Sequence, residues 1–288
     1  MNNIVVIPNA VKDNDLAVTN TVVKKINCLG IKAYIEEKYS HLVCDAAGYT
    51  EFPKDAELII VIGGDGSVID ASEYAIAYDL PILGVNLGRV GYLAELERNS
   101  LGELERLVRG DYIIEEKMLL TVQDANGIPL CNRYAVNDIV VSHDAYLGIA
   151  DVRVEDHCGN VIDYRADGVI LATPQGSTAY SLSSGGPVVA HDVDGILLTA
   201  VSPHSFFNRS VMFNSSESIR VTNLGTDSMH ISIDGRCRGK LDTNEYCIIT
   251  KSDKKIKMLA FEKNAMFSKL FKKMRILEDT ENEKRQTN

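Results

Sequence analysis

Leu58-Ile59-Ile60-Val61-Ile62-Gly63-Gly64-Asp65-Gly66-Ser67 decides the fold of the first part of this chain. Consecutive branched apolar residues bounded by turn residues read as a strand buried on both faces. The glycines interrupt it, and residues 67–77 read as helix. The flanking sequence repeats this strand-then-helix step. Upstream, Ile4-Val5-Val6-Ile7 is ended by Pro8, and Val18, Val22, Ile26 and Leu29 share one helical face that stops at Gly30. Downstream, Pro81-Ile82-Leu83-Gly84-Val85 forms a third strand. Ser100 and Glu103 then make a capping box ahead of an apolar stripe of Leu101, Leu104, Leu107 and Val108. Alternating strands and helices predict an α/β domain with an open, mostly parallel sheet.

The pattern changes near Gly110. From Met118 to Phe261 the segments are short and β-rich: residues 119–122, 135–141, 152–154, 219–221, and 229–233 with its alternating polarity. Asn126-Gly127 and Gly159-Asn160 supply turns between them. This predicts a second, mainly antiparallel β-rich domain. The end of the chain returns to helix, with Phe267, Leu270, Phe271 and Met274 on one face and Lys269, Lys272, Lys273 and Arg275 off it. The expected domains are residues 1–110, rejoined by a C-terminal helix within 263–288, and residues 111–262.

Composition narrows the function. The 288 residues carry 30 Lys plus Arg against 40 Asp plus Glu, a net charge of -10. Nucleic acid is not an expected partner, because that binding needs a basic surface to neutralise phosphates. Local backbone dipoles can still bind anions whatever the net charge. No stretch approaches the roughly 18 apolar residues of a membrane span. The six cysteines, Cys28, Cys44, Cys131, Cys158, Cys237 and Cys247, form no C-x-x-C pair, so reduced, buried thiols in a cytoplasmic protein are expected. No metal-ligating set is assigned.

Three constellations carry chemistry. In Gly63-Gly64-Asp65-Gly66-Ser67, glycines let the backbone approach a ligand and the following helix start offers free amides to phosphate. A carboxylate inside such a turn would repel phosphate unless it had a job. Asp65 either accepts a hydroxyl proton or helps to place Mg²⁺. The second stretch, Gly84-Val85-Asn86-Leu87-Gly88-Arg89-Val90-Gly91-Tyr92-Leu93, follows a strand end, where open α/β sheets bind ligands. Arg89 there is either a phosphate contact or a solvated surface arginine. The third runs from Arg165 and Asp167 through Thr173-Pro174-Gln175-Gly176-Ser177-Thr178-Ala179-Tyr180-Ser181-Leu182-Ser183 to Gly185-Gly186-Pro187. Its hydroxyls and amides suit a sugar or a base edge, and Tyr180 offers a ring for stacking.

Taken together and in this order, these stretches resemble the NAD kinase family. Asn137-Asp138 matches the family's Asn-acidic pair, where Glu is commoner, and Pro203-His204-Ser205 through Asn208-Arg209 resembles a weaker later segment. The glycine turn alone is shared with phosphofructokinases and diacylglycerol-type lipid kinases; the long third stretch makes the match specific.

The resemblance implies an enzyme that phosphorylates the adenosine ribose 2′-hydroxyl of NAD with ATP and a divalent cation such as Mg²⁺, producing NADP. Asp65 would accept the hydroxyl proton. Gly63, Gly64, Gly66, Ser67 and Arg89 would face the ATP phosphates. Asp65, Gly66, Asn137, Asp138, Arg165, Asp167, Thr178, Ala179, Tyr180 and Ser183 would contact NAD, with Asp138 on a ribose hydroxyl. A homodimer or homotetramer is implied as well. Asp138 is one methylene shorter than the family's usual Glu, and Gln175 replaces its usual Thr. Two rival functions share some of these features: a lipid kinase, which would need an apolar cleft, and a non-catalytic NAD(H) sensor.

Overall fold

The computed structural model describes residues 1–88, 91–143, 149–204, 207–263, 268 and 270–271, with 237 and 238 described by their backbone alone. Arg89 and most of the helix expected over residues 267–275 lie outside the described residues. The chain divides into two compact units: Met1–Glu116 together with the chain from Ile256 onward, and Lys117–Lys255.

The first unit is built on β1 (Asn3–Pro8), α1 (Ala17–Cys28), β2 (Lys32–Glu36), β3 (Ala47–Tyr49), β4 (Leu58–Gly63), α2 (Asp65–Ala77), β5 (Pro81–Asn86) and β6 (Leu96–Glu97). The strands pair in parallel in the order β3-β2-β1-β4-β5, with β6 and residues 257–258 both on the outer edge of β5. Every residue of β4 is buried, as its unbroken apolar run demands. Val18, Val22 and Ile26 of α1 pack into the same core as Ile4, Val6, Ile60 and Leu83.

The expected capping box at Ser100 does not form. The Ser100 hydroxyl turns back to Glu97, accepting its N–H and donating to its carbonyl at 2.9 Å each. Residues Leu101–Glu105 are consequently a 3₁₀ turn, followed by the single turn α3 (Arg106–Arg109). Val108, expected in the apolar stripe, is exposed, while Leu101, Leu104 and Leu107 are buried. Arg106 reaches the C-terminal segment instead: it donates to the Phe261 carbonyl at 3.0 Å and lies over the Phe261 ring.

The second unit contains most of β7 (Ile113–Gln123), then β8 (Asp138–His143), β9 (Ala150–Glu155), β10 (Val161–Ala166), β11 (Gly168–Ala172), α4 (Tyr180–Ser183), β12 (Gly195–Val201), β13 (Val211–Asn214), β14 (Ile219–Asn223), β15 (Met229–Ile233), β16 (Arg236–Leu241) and the start of β17 (Tyr246–Ala260). One antiparallel sheet runs β13-β12-β11-β8-β15-β16. Against its inner face pack β9, β10, β14 and the first part of β17, also antiparallel. Alternate residues of both layers, among them Ile139, Val141, Val152, Val154, Val169, Leu171, Val221 and Ile231, make one core. The outer face of β8, β11 and β12 is covered by Val189, which follows the glycine-rich stretch.

The expectation of buried cysteines holds for Cys247 alone among the described side chains. Cys28, Cys44 and Cys158 are exposed thiols at a helix end and in turns, where no core reaches them.

Candidate active site

In the first unit the glycine turn joins β4 to α2. Gly64 is extended at the helix N-cap position (φ -112°, ψ -170°), and no side chain caps the helix. Ser67 and Val68 donate their N–H groups to the Gly64 carbonyl. Helix geometry leaves the amides of Asp65 and Gly66 without partners inside the helix, facing outward as anion donors.

The carboxylate of Asp65 is held from outside its own element. Oδ2 accepts the Tyr92 N–H at 3.0 Å and Oδ1 accepts the Leu93 N–H at 3.1 Å. Gly91 makes this approach possible, because a Cβ there would collide with the Asp65 carboxylate. The second sequence stretch therefore serves the first: whatever Arg89 contacts, residues 91–93 orient the acid of the glycine turn. Burial and, secondarily, the charge of Asp65 push the Tyr92 phenol above its ordinary value. Asn86 steadies the loop from its base, exchanging hydrogen bonds with the Gly88 backbone and donating to Glu97 at 3.2 Å.

In the second unit the Asn-acidic pair and the long glycine-rich stretch meet at the start of β8. Thr173 donates its N–H to the Asn137 carbonyl at 2.8 Å and its hydroxyl to the Val136 carbonyl at 2.7 Å. The same hydroxyl accepts the Gly176 N–H at 2.9 Å. Gly176 lies so close to Asn137 that any side chain there would strike its carbonyl. The tight turn leads into α4. Tyr180, its first residue, is about half exposed at 46%, so its ring is available rather than part of the core. Ser183 is exposed and Ala179 half-buried; Thr178 is buried, its hydroxyl donating to the Gln175 carbonyl at 3.2 Å. Gln175 itself is buried beneath the turn.

Asp138 is 4% exposed, and its carboxylate accepts the Tyr180 N–H. Burial first, and the neighbouring charge of Asp234 second, push its carboxyl up to about 7, with the Tyr180 N–H pulling the other way. Asp138 is thus partly protonated near neutral pH, able to donate as well as accept a hydrogen bond.

Sequence reasoning missed Asp234. It sits in the turn between β15 and β16 at φ 48°, and its carboxylate accepts the N–H groups of Val136 (2.9 Å), Asn137 (2.8 Å) and Asp138 (3.0 Å). Burial raises its carboxyl, opposed by these three bonds and by Arg133. The Asp-Gly turn before a strand was the available signal, but nothing local tied it to residues almost a hundred positions earlier.

Arg165 and Asp167 are placed apart from this cluster. Asp138 pairs with Ala172 and Ser142 with Gly168, so Asp167 lies beyond the opposite end of β11. Four pairings correspond to about 13 Å along the strand. Arg165 is largely exposed beside Asp151 at 3.9 Å. The Asp167 carboxylate is 3.7 Å from the His143 imidazole.

These two groups can be set against known proteins. Residues 11–112 match the model of the ATP-NAD kinase N-terminal domain, and residues 136–261 that of the ATP-NAD kinase C-terminal domain. An NAD kinase of Thermoanaerobacter sp. (strain X514) is 34% identical over 285 residues, covering 95% of this chain and 99% of the relative. One from Lachnoclostridium phytofermentans is 31% identical over 274 residues, covering 91% and 95%. Among solved structures, yeast NADH kinase complexed with NADH superposes with a TM-score of 0.80 at 19% identity, over 94% of this chain and 86% of that one. An Archaeoglobus fulgidus NAD kinase in complex with ATP gives 0.72 at 21% identity, over 95% and 98%. At such identities the structures speak for the fold, while the sequence relatives, matched nearly end to end, speak for descent. Matched by both domain models and by relatives over 30% identical along nearly its whole length, the chain belongs to the NAD kinase family.

Proposed function

We propose that this chain transfers the γ-phosphoryl group of ATP to the adenosine ribose 2′-hydroxyl of NAD, producing NADP. Family membership supports the reaction. The observation that carries its chemistry is the Asp65 carboxylate, fixed by two backbone N–H donors at the mouth of a phosphate-binding turn. The comparisons lend no support to the lipid-kinase or sensor readings.

Phosphoryl transfer asks the protein mainly for positioning and charge stabilisation. Gly63, Gly64, Gly66 and Ser67 would present amides and a hydroxyl to the donor phosphates, with Arg89 as a further phosphate contact. Asp65 would take the proton from the attacking hydroxyl. Asn137, Asp138, Thr178, Ala179, Tyr180 and Ser183 would hold the dinucleotide, Asp138 on a ribose hydroxyl and Tyr180 by stacking. Arg165 and Asp167 would meet a different part of it.

Among the described residues no three His, Cys, Asp or Glu side chains stand together as a metal cage. The single Asp65 carboxylate of the turn suits Mg²⁺, which is commonly bound through one or two carboxylates and substrate phosphates. When bound, the ion would neutralise charge on the transferring phosphoryl group. The family resemblance implies a homodimer or homotetramer, and the irregular cysteine spacing suits a cytoplasmic protein.

The test is NADP formation from NAD, ATP and Mg²⁺, read with an NADP-specific dehydrogenase. Asp65→Asn is expected to lose about 10²–10⁴-fold in turnover while calorimetry shows NAD still bound. Near-normal turnover would remove Asp65 from its role, and a wild-type protein that binds NAD without forming NADP would overturn the reaction itself.

A further inference from the structure

Immediately after β1, the chain crosses the glycine turn. Asn9 donates its backbone N–H to the Ile62 carbonyl at 2.8 Å. Its side-chain Oδ1 accepts the N–H groups of Val11 and Lys12 at 3.2 Å each, which fixes the amide's orientation and turns Nδ2 toward Ser67. Nδ2 then donates to Ser67 Oγ at 2.8 Å. Because that oxygen is accepting, the Ser67 hydroxyl proton remains available to a ligand.

The next anchor is Asp13, which is buried and committed to α1: it accepts from Val18 N–H at 3.0 Å and from the Thr19 N–H and hydroxyl at 2.8 and 2.6 Å. Lys12 is held between these anchors. Its Nζ lies 3.4 Å from the position a Gly64 Cβ would occupy, directly over the turn. Among the described residues this exposed ammonium has no ion pair or hydrogen bond, and the adjacent acid is engaged elsewhere.

An uncompensated ammonium beside outward-facing amides and a free hydroxyl proton is a set of donors for an oxyanion carrying several negative charges. We propose that Lys12 binds the triphosphate of the phosphoryl donor and that Asn9 positions both Lys12 and Ser67 for it. This rests on the kinase reading above and adds two residues to it. Lys12 neutralises donor charge, and Asn9 acts through the loop it clamps.

The experiment compares wild type, Lys12→Met, Lys12→Arg and Asn9→Ala in NADP formation at varied ATP and varied NAD. Inorganic tripolyphosphate, which lacks base and ribose, serves as a competitive probe. Lys12→Met should raise KM for ATP about 10- to 100-fold, leave KM for NAD within about twofold and abolish tripolyphosphate inhibition. Lys12→Arg should recover most of the loss, and Asn9→Ala should fall between. If wild type makes NADP and Lys12→Met, with an unchanged melting temperature, keeps its KM for ATP and its inhibition, the role of Lys12 is overturned while the kinase reading stands. A loss reproduced equally by Lys12→Arg would also overturn it, since a charge role survives that change. A wild type that makes no NADP would instead sink the kinase reading.

Discussion

Asp65 and Asp138 are the same side chain in opposite settings. Asp65 is half-buried in a turn and receives a backbone N–H on each oxygen. Asp138 is almost fully buried, receives the Tyr180 N–H and faces a second acid, Asp234. The first setting fixes the direction of a carboxylate, which suits the proton acceptor proposed above; the second pushes the carboxyl up to about 7. The lesson is that residue identity does not assign the acid's role. The count of N–H donors, the depth of burial and the presence of a like charge do.

The comparison can be broken first at Gly91. Gly91→Ala should displace the Asp65 carboxylate and lower kcat about 100-fold, the scale of an approximately 1 Å misplacement. NAD affinity by calorimetry should be unchanged. A kcat within about twofold of wild type would show that the two N–H bonds do not matter for turnover.

A smaller effect sharpens the other side. Since the Asp138 carboxyl is raised from its ordinary 3.8 to about 7, the folded protein binds more protons there than the unfolded chain throughout that window. Its contribution to stability is therefore fully present below pH 3.8 and is lost as pH rises through about 7. Asp138→Asn should remove this slope. Urea unfolding between about pH 5 and pH 7 should show wild type losing about 2 kcal/mol more than the variant. Parallel curves would mean that Asp138 is ionised throughout.

The smallest effect separates the Tyr180 ring from its backbone. Tyr180→Ala keeps the N–H that reaches Asp138, so the pH slope should persist. Loss of the stacking ring should raise KM for NAD about three- to tenfold. An altered slope with unaltered KM would reverse the assignment of ring and backbone.

The fold was legible wherever the pattern was local. The apolar runs at Ile4 and Leu58 are β1 and β4, the face of Val18, Val22 and Ile26 is the buried side of α1, and the alternating residues 229–233 are β15. The Ser100 helix misled because its hydroxyl is taken by the backbone of Glu97 three residues earlier, a local alternative that the capping-box pattern does not exclude. The short strands β2 and β3 gave no strong pattern of their own; they form by adding to β1 in parallel register. The motif residues of the candidate site stood out as glycines and acids. Their supports did not: Gly91 acts on an acid 26 positions away, Asp234 on a strand start 96 positions away, and Asn9 on a serine 58 positions away. Each depends on a tertiary contact that no spacing rule encodes.

The strand β17 has a consequence for how this protein is made. Its early residues pair with β14, whereas Lys257 and Met258 complete the edge of β5. Phe261, just beyond it, is clasped by Glu95 and Arg106. A ribosome must therefore add some 140 further residues after the first unit's own strands have emerged before that sheet can be finished. At about 5–20 residues per second this is a wait of roughly seven to thirty seconds, during which the Pro81–Ile82 end of the β5 edge awaits its partner.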